Sequence, residues 1–467
     1  MISAIQWIRQ GAAAQNPEKF KFDEKEFERI SKITTDRLGD AKVDLNAAQQ
    51  AAAMDVDSDS EGEEQDNNIK DDMQVNPNDQ VNVDEEQPEG AAAGSFLNRK
   101  DLAYYDNPDE DPYITLKHDE QEEAEEREEL QVLATDNLLL AAKTEDDVSQ
   151  LEVYVYERSE ENLYVHHDIM LPSFPLCLEW LDFHCGEKAG QEGHGNYVAV
   201  GTFEPDIEIW NLDVVDAMIP QTILGQQPGA AKPKKRSKKP NANYHVDAIM
   251  DMSWNKQHRN FLLSSSADAT VKLWDLTNST CVQSYSHHKD KVQAVAWNPV
   301  EATAFITGSY DKTISVLDAR APEKATAWKL QSDVESLVWD PHNATNFYAA
   351  TEDGIIQYFD VRQANGAAGG KPLFTLQAHD GAVSALDVNA SIPGCIATGS
   401  TDKQVKIWNT TDNKPNMVTS RNFELGHIFS AKFCPDAPLE LAISGSNGKV
   451  HVWDMSSNAG VRQVYGQ

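Results

Sequence analysis

Short runs that alternate apolar and polar residues recur along the last two thirds of the chain. Each run ends in an aromatic residue or leucine followed by an acid or an amide, as in Val271–Asp275 and Val405–Asn409. Alternation with a period of two predicts β-strands with one buried face. The aromatic or leucine position falls at residues 156, 210, 274, 317, 359, 408 and 453, with spacings of 54, 64, 43, 42, 49 and 45 residues. The chain therefore contains seven similar repeats, and the two longest spacings leave room for inserted loops.

A second series of strands opens the repeats. Four of these strands end in tryptophan: Leu178–Trp180, Met252–Trp254, Val295–Trp297 and Leu337–Trp339. Turn-forming pairs such as Ala267–Asp268 lie between the two series. One four-stranded sheet is marginal alone, but seven sheets around an axis bury both faces of each. Because WD repeats take about 40–45 residues per blade, we predict an all-β fold: a seven-bladed WD-repeat β-propeller over residues 129–467.

Polar residues recur at matching places in these repeats. The members are His245, Asp268, Trp274, His288, Asp311, His379, Asp402, Trp408 and Trp453. By composition, a histidine, a serine or threonine and an aspartate resemble a catalytic triad. Recurrence in blade after blade favours a structural hydrogen-bond network instead. Where Leu317, Phe359 or Leu330 replaces a member, we expect packing to hold the blade.

The first ten residues predict a strand that joins the propeller. Ser3–Ile8 reads like Val292–Trp297, so it is expected either to start the first blade or to complete the last. Residues 11–128 are predicted to be a mostly disordered acidic region, with a short helix near 23–38.

Charge is distributed very unevenly. The net charge is −36, and residues 55–89 hold fourteen acids against one lysine. Residues 101–129 hold thirteen acids against two cations. This balance argues against nucleic-acid binding by the chain as a whole, which requires a basic surface. Ser58 and Ser60 each have a glutamate three residues later, and this context predicts phosphorylation by an acidophilic kinase.

One segment reverses the charge. The predicted loop insertion 226–244, between blades two and three, carries six cations within eight residues: Lys232, Lys234, Lys235, Arg236, Lys238 and Lys239. Such a run suits the acidic groove of an import receptor, or contact with RNA or DNA phosphates. A solvated loop without a partner is the third interpretation.

Other sites are weakly indicated. The five cysteines have no paired spacing, which favours a reducing compartment and no disulfide framework. His184, Cys185 and His194 lie in a glycine-rich connection whose spacing fits no metal site. No cofactor is expected. The chain start lacks signal-peptide features, and no stretch reaches eighteen apolar residues, so no membrane association is expected.

Several segments carry a resemblance to a known family, and two stretches within them, residues 164–168 and 213–216, are not part of the repeat consensus. They include Asp111–Lys117, Leu163–Ile169, Glu179–Phe183, Tyr197–Gly201, Ile207–Asp216 and Gly308–Lys312. On these residues the chain resembles the periodic tryptophan protein 1 family of WD-repeat proteins. The resemblance implies a nuclear, mainly nucleolar protein that supports ribosome production through ribosomal RNA synthesis and processing, large-subunit assembly and contact with chromatin.

The leading hypothesis is a non-enzymatic scaffold. Its partners would be ribosome assembly factors, pre-ribosomal particles, an import receptor, and histones or other basic proteins. The alternative is a substrate receptor for a cullin-type ubiquitin ligase, because Leu317–Arg320 and Phe359–Arg362 resemble the Asp-x-Arg boxes of some WD proteins. An enzyme is disfavoured, since no glycine-rich phosphate loop, metal-ligand set or isolated nucleophile with a base is found.

Overall fold

The computed structural model describes residues 1–20, 125, 127–128, 130–186, 193–225, 239–364 and 370–466. The chain divides into two compact units, residues 1–36 with 130–467, and residues 37–129. Of the second unit only residues 125, 127 and 128 are described, and all three are exposed. The expected helix near 23–38, the acidic tract 55–89 and all of the tract 101–129 except residues 125, 127 and 128 lie outside the described residues.

The predicted seven-bladed β-propeller is confirmed. Within the described ranges, six blades have four antiparallel strands and the seventh has three. From the inner edge outward, the strands are β1 (Ile2–Ile8), β3 (Asn137–Glu145), β4 (Val148–Glu157) and β5 (Asn162–Leu171) in blade 1; β6 (Pro175–Leu181), β7 (Tyr197–Thr202), β8 (Ile207–Asn211) and β10 (Thr222–Leu224) in blade 2; β11 (Ile249–Trp254), β12 (Phe261–Ser266), β13 (Val271–Asp275) and β14 (Thr280–Tyr285) in blade 3; β15 (Val292–Trp297), β16 (Ala304–Ser309), β17 (Thr313–Asp318) and β18 (Ala325–Lys329) in blade 4; β19 (Val334–Trp339), β20 (Asn346–Thr351), β21 (Ile355–Asp360) and β22 (Phe374–Gln377) in blade 5; β23 (Ala385–Val388), β24 (Cys395–Gly399), β25 (Val405–Asn409) and β26 (Asn416–Arg421) in blade 6; and β27 (Ile428–Phe433), β28 (Glu440–Gly445) and β29 (Val450–Asp454) in blade 7.

A few elements lie outside the blades. The two-residue strand β2 (Glu18–Lys19) pairs in parallel with β9 (Val214–Val215). Single 3-10 turns cover Val361–Gln363, Thr411–Asn413 and Met455–Ser457, and a C-terminal helix, α1, covers Ala459–Tyr465. Tyr465 of α1 donates its hydroxyl to the carbonyl of Trp408 over 2.9 Å, so the chain end is attached to blade 6.

The core lies between neighbouring blades. Trp210, Trp274 and Trp328 are among the largest fully buried side chains. Close packing limits side-chain size where blades meet: a Cβ atom built on Gly308 of β16 would lie 2.5 Å from Val334 Cγ1 of the next blade. Glycine is therefore required there by the approach of blade 5, and a larger residue would force the two sheets apart.

The N-terminal strand closes the ring. The strand β1 pairs with β3 along Ile2–Ile8, so it starts the first blade and does not complete the last. It also contacts β27 on one side and β6 on the other. Trp7 donates its indole N–H to the carbonyl of Lys432 over 3.0 Å, and its ring meets Tyr156 edge-on at 5.9 Å. The first and last blades are thus joined by side-by-side packing of their innermost strands.

Along the chain, the acidic region is an insertion between two strands of blade 1. Residues 9–136 connect the first strand of that blade to its second, so they are an insertion and not a tail. Both ends of the connection are attached to the propeller. The amide of Phe20 donates to the carbonyl of Val215 over 3.0 Å, and a hydrogen bond of 2.9 Å joins His166 Nε2 to the carbonyl of Leu130.

Deleting residues 1–10 should strongly destabilise the propeller. Burial of Trp7 alone is worth about 3–5 kcal/mol, and a loss of that size lowers the melting temperature by about 4–7 °C in a domain of roughly 340 residues. Thermal unfolding followed by circular dichroism measures the change. The milder variant Trp7→Phe keeps the strand and loses the indole N–H. Its melting temperature should therefore lie between that of the wild-type chain and that of the deletion variant. An unchanged melting temperature after the deletion would show that β1 does not hold the ring.

Candidate interaction surfaces

The propeller has two faces, which we call top and bottom. The top face carries the links between blades and the turns that join the second and third strands of each blade, such as the turn at Asp268. The bottom face carries the turns that join first to second strands and third to fourth strands.

The predicted polar residues form hydrogen-bond chains at the top of blades 3 and 6. In blade 3, His245 Nδ1 lies 3.0 Å from Asp268 Oδ2 and His245 Nε2 lies 2.8 Å from Ser264 Oγ. Trp274 donates its indole N–H to the same hydroxyl over 2.8 Å. In blade 6, the equivalent set is His379, Asp402, Thr398 and Trp408, with distances of 2.9, 2.8 and 3.0 Å. Each chain ties an inter-blade link to a turn and to the third strand.

The other blades keep only part of this arrangement. In blade 4, His288 lies 3.1 Å from Asp311 and 2.8 Å from Thr307, and the buried Leu317 takes the tryptophan position. In blade 5, Leu330 and Phe359 are packed into one apolar cluster. Trp453 of blade 7 is buried without a hydrogen bond to its indole N–H, and it packs against Phe423 at 5.1 Å. Packing replaces hydrogen bonding there.

Burial and hydrogen bonding together set the protonation of these residues. Burial lowers the pKa of His245, and this outweighs the opposing effect of Asp268. Burial alone would raise the pKa of Asp268, but hydrogen bonds from His245, Thr270 and the amide of Val246 lower it to about 2. In blade 6, the pKa of His379 and the pKa of Asp402 are likewise both lowered. A neutral imidazole beside a carboxylate is a stable structural pair here.

A second repeated device lies on the bottom face, and the sequence analysis missed it. Asn255, Asn298 and Asn389 are buried and follow the first strand of their blades. Each donates its side-chain amide to a carbonyl of the next blade, of Ala302, Ala344 and Pro438 respectively, over 2.6 to 2.7 Å. The signal was present as a recurrent asparagine after the opening strand.

Carboxylates also link the innermost strands. The amide of Trp254 donates to Glu179 over 3.0 Å, that of Val295 donates to Asp251 over 3.0 Å, and that of Phe433 donates to Asp387 over 2.8 Å. Burial raises the pKa of Glu179 to about 7 and that of Asp251 to about 6. These acids join one blade to the next.

The basic insertion begins and ends on the top face. Gly225 and Lys239 are the described residues at its two ends, and Lys239 is exposed. Lys232, Lys234, Lys235, Arg236 and Lys238 lie outside the described residues, as do Ser58 and Ser60. The base of the loop is held by the buried Lys272, which donates to the carbonyl of Asn241 over 2.5 Å and to Ser284 Oγ over 2.8 Å. The loop is therefore anchored at blade 3.

The two Asp-x-Arg boxes lie on the bottom face of adjacent blades. Arg320 folds back on Asp318 with a shortest distance of 2.7 Å, and its side chain is 74% exposed. Arg362 does the same on Asp360 at 2.8 Å and is 72% exposed. Each guanidinium is held in a fixed direction by its own box.

Cys185 and His194 of the glycine-rich connection lie in different surroundings. Cys185 is buried, whereas His194 is exposed and lies 3.4 Å from Asp182. Within the described ranges, no group of three or more histidine, cysteine, aspartate or glutamate residues could hold a metal ion. No helix in the described part of the chain is long and apolar enough to span a membrane.

Replacing His245 with glutamine should cost about 1–3 kcal/mol at pH 7.5, because buried hydrogen-bond partners are left unsatisfied. The difference should narrow toward pH 5. A histidine with a lowered pKa stabilises the fold fully above about pH 6.5 and progressively less below it, because the unfolded chain takes up a proton that the folded imidazole excludes. Chemical unfolding at several pH values measures this, with the exposed His194→Gln as the matched control. A difference that does not vary with pH would contradict the assignment of a neutral, buried imidazole.

Comparison with known proteins places the chain in a family. The WD domain, G-beta repeat model matches residues 239–275, 279–318, 370–409 and 419–454. An uncharacterised WD repeat-containing protein of Schizosaccharomyces pombe is 45% identical across all of this chain and 91% of its own length. Periodic tryptophan protein 1 of Saccharomyces cerevisiae is 34% identical across the whole chain and 90% of its own length. The periodic tryptophan protein 1 homolog of Drosophila melanogaster is 29% identical across the whole chain and 96% of its own length. The chain therefore belongs to the periodic tryptophan protein 1 family of WD-repeat proteins.

Proposed function

We propose that this protein is a non-enzymatic scaffold of the nucleus, mainly of the nucleolus, that supports ribosome biogenesis. The role covers ribosomal RNA synthesis and processing, assembly of the large subunit and association with chromatin. The observation that carries the proposal is the match of the whole chain, insertion included, to periodic tryptophan protein 1 of Saccharomyces cerevisiae. The resemblance seen in the sequence implies the same role.

The geometry of the polar networks supports a binding role and not catalysis. The His–Asp pairs of blades 3, 4 and 6 have histidines that are buried within the sheets. Their hydrogen bonds are made to the turns and strands of their own blade. A catalytic pair must instead face a bound substrate. The propeller surface is left to dock other proteins.

Charge suggests which partners dock. The acidic tracts of residues 55–89 and 101–129 suit basic proteins such as ribosomal proteins or histones. Pairing of opposite charges speeds encounter and selects partners more than it fixes affinity. The basic insertion suits an import receptor, with RNA or DNA contact as a second use. The proposed partners are therefore ribosome assembly factors, pre-ribosomal particles and chromatin.

The substrate-receptor alternative rests on Arg320 and Arg362. Both are exposed on one face of adjacent blades, which is the observation that favours it. Neither box has the tryptophan of the motif it resembles, because Leu317 and Phe359 stand there. We therefore rank this function second.

Depletion of the protein from cells should increase large-subunit ribosomal RNA precursors, and the tagged protein should sediment with pre-ribosomal particles in sucrose gradients. Both follow if the propeller holds assembly factors together on the particle. Re-expression of the wild-type chain is the control and should restore normal precursor levels. Unchanged precursors together with sedimentation of the protein only in light fractions would refute the proposal.

Replacing Lys234, Lys235 and Arg236 with alanine should abolish nuclear accumulation, because a receptor groove reads the cluster of positive charges. Live-cell imaging of a fluorescent fusion measures this. The matched control replaces three exposed lysines elsewhere, Lys324, Lys329 and Lys414, and should accumulate normally. If the first variant still enters the nucleus, the insertion is not the import signal.

A further inference from the structure

Blade 7 ends in an unpaired strand. Each of the other blades has an outer strand that pairs with its third strand, whereas no strand in the described part of the chain pairs with the outer edge of β29. Met455, which directly follows β29, donates its amide inward to the carbonyl of Leu439 over 2.8 Å. Successive residues of an antiparallel strand point their backbone groups to alternate sides. The N–H and C=O groups of Val450 and Val452 therefore point outward, where an added strand can bond to them.

The start of β29 is less buried than the start of the third strand in complete blades. In blade 3, Val271 lies opposite Tyr285 of the outer strand, and both are buried. In blade 4, Ile314 lies opposite Trp328, and both are again buried. Val450 has the corresponding position in blade 7 and is only half-buried. A large aromatic residue opposite Val450 would complete blade 7 as it completes blades 3 and 4.

Blade 1 provides a second apolar wall beside this edge. Tyr154 and Leu163 of blade 1 pack with Val450 and Val452 against the apolar cluster of the seam between blades 1 and 7. Val165 lies opposite Tyr154 in the pairing of β4 with β5, so its side chain lies on the same face of the sheet. It is nevertheless 47% exposed. An apolar groove therefore lies between the outer strand of blade 1 and the edge of blade 7.

The two ends of this groove differ in charge. β29 runs from the top face to the bottom face, and the exposed Lys449 immediately precedes it at the top. Asp454 ends β29 at the bottom, where Asp454 and Glu161 both act on Glu440 and Arg158 pairs with Glu440 at 2.9 Å. A strand that runs from bottom to top therefore matches these charges when it begins with a basic residue and ends with an acidic one.

We propose that the groove beside β29 binds an extended segment of a partner protein, which adds to blade 7 as its fourth strand. The outer strands of the other six blades all run antiparallel to their third strands, and the added strand has the same direction. Main-chain hydrogen bonds supply the affinity of such a complex, and alternate side chains supply its specificity. The inference rests on the proposed docking function and names the chemistry of one class of partner.

The groove defines a sequence pattern for the segment. From its start, the pattern is a basic residue, any residue, an apolar residue, any residue, an aromatic residue and an acidic residue. The basic residue faces Asp454, the apolar residue lies opposite Val452, the aromatic residue lies opposite Val450 and the acidic residue faces Lys449. The apolar and aromatic side chains then lie on the face of the sheet that is turned toward Val165.

The first test measures binding of labelled peptides to the purified full-length chain by fluorescence anisotropy. The probe is acetyl-Gly-Lys-Thr-Val-Thr-Tyr-Glu-Gly-amide, which should bind. Exchange of its lysine and glutamate keeps the composition and should weaken binding about fivefold. Methylation of the backbone nitrogens of its valine and tyrosine keeps the side chains but removes the two N–H groups that face β29, and should weaken binding about 10- to 100-fold. No binding of the probe, or equal binding of the methylated peptide, would overturn the proposal.

Variants of the protein then locate the site. Lys449→Glu should remove the preference between the probe and the charge-exchanged peptide. Lys403→Glu is the matched control, because it changes an exposed lysine in the corresponding turn of blade 6, which has its fourth strand, and it should keep the preference. Val165→Asp places a charge in the apolar wall and should weaken binding about tenfold, with a thermal unfolding curve to show that the variant is folded. Binding that neither Lys449→Glu nor Val165→Asp alters would refute the assignment to blade 7.

Two other occupants of the edge would give different results. If a second copy of the chain pairs there, sedimentation velocity shows a dimer that Val165→Asp converts to a monomer. If the chain itself covers the edge, the full chain fails to bind the probe and a chain lacking residues 40–124 binds it. Either result would overturn the proposal.

The outcome is separate from that of the proposed function, because sedimentation with pre-ribosomal particles is measured independently. Absent peptide binding with normal sedimentation would reject the site on blade 7 alone. Absent sedimentation would reject the scaffold whatever the peptides do.

Discussion

The inner edge of each innermost strand carries backbone groups that no further strand covers. Buried amides must have partners, and here side chains of the preceding blade supply them. Trp254, Val295 and Phe433 each donate a backbone amide to a carboxylate of the neighbouring blade. The amide of Trp297 donates to the hydroxyl of Ser253 over 3.0 Å. These hydrogen bonds fix the distance and the register between the neighbouring blades that they join.

Ring closure imposes a second requirement. No strand pairing joins the first and last blades at their seam, because β1 pairs with β3 and not with a strand of blade 7. The seam is reinforced on the bottom face, where Asp436 accepts hydrogen bonds from the amide of Gln10 and the side chain of Asn137. Arg158 also pairs with Glu440 across the seam at 2.9 Å. The innermost strand of blade 1 lies at the start of the chain, and blade 7 lies near its end. Trp7 and Lys432, which contact each other across the seam, are 425 positions apart. This seam therefore forms from the most distant parts of the sequence.

The features that can be predicted from the sequence are those that recur at similar spacing along the chain. The seven strands ending in an aromatic residue or leucine and the His245, Asp268 and Trp274 network all follow from repeats of fixed length. Trp453 shows the limit of that reasoning. It continues the tryptophan series, but Ile443 stands where blade 3 has Ser264, so its indole N–H has no acceptor. The role of Glu179 could not be predicted, because it depends on which backbone amide of the neighbouring blade lies beside it. The attachment of the acidic region at both ends depends likewise on which strand β1 pairs with.

The two sets of buried ionisable groups respond to pH in opposite directions. His245 favours the folded state above about pH 6.5, and Asp268, with its pKa lowered to about 2, adds stability above about pH 4. Glu179 and Asp251 have raised pKa values, about 7 and 6, so the folded state holds their protons and loses stability as pH rises from about 4.5 toward those values. Between pH 4.5 and 7 the trends oppose each other. The free energy of unfolding can therefore vary little with pH in this range even though the pKa values of His245, Glu179 and Asp251 are all shifted. Glu179 and Asp251 therefore weaken the fold as the pH rises toward neutrality, although each accepts an amide hydrogen bond from the next blade.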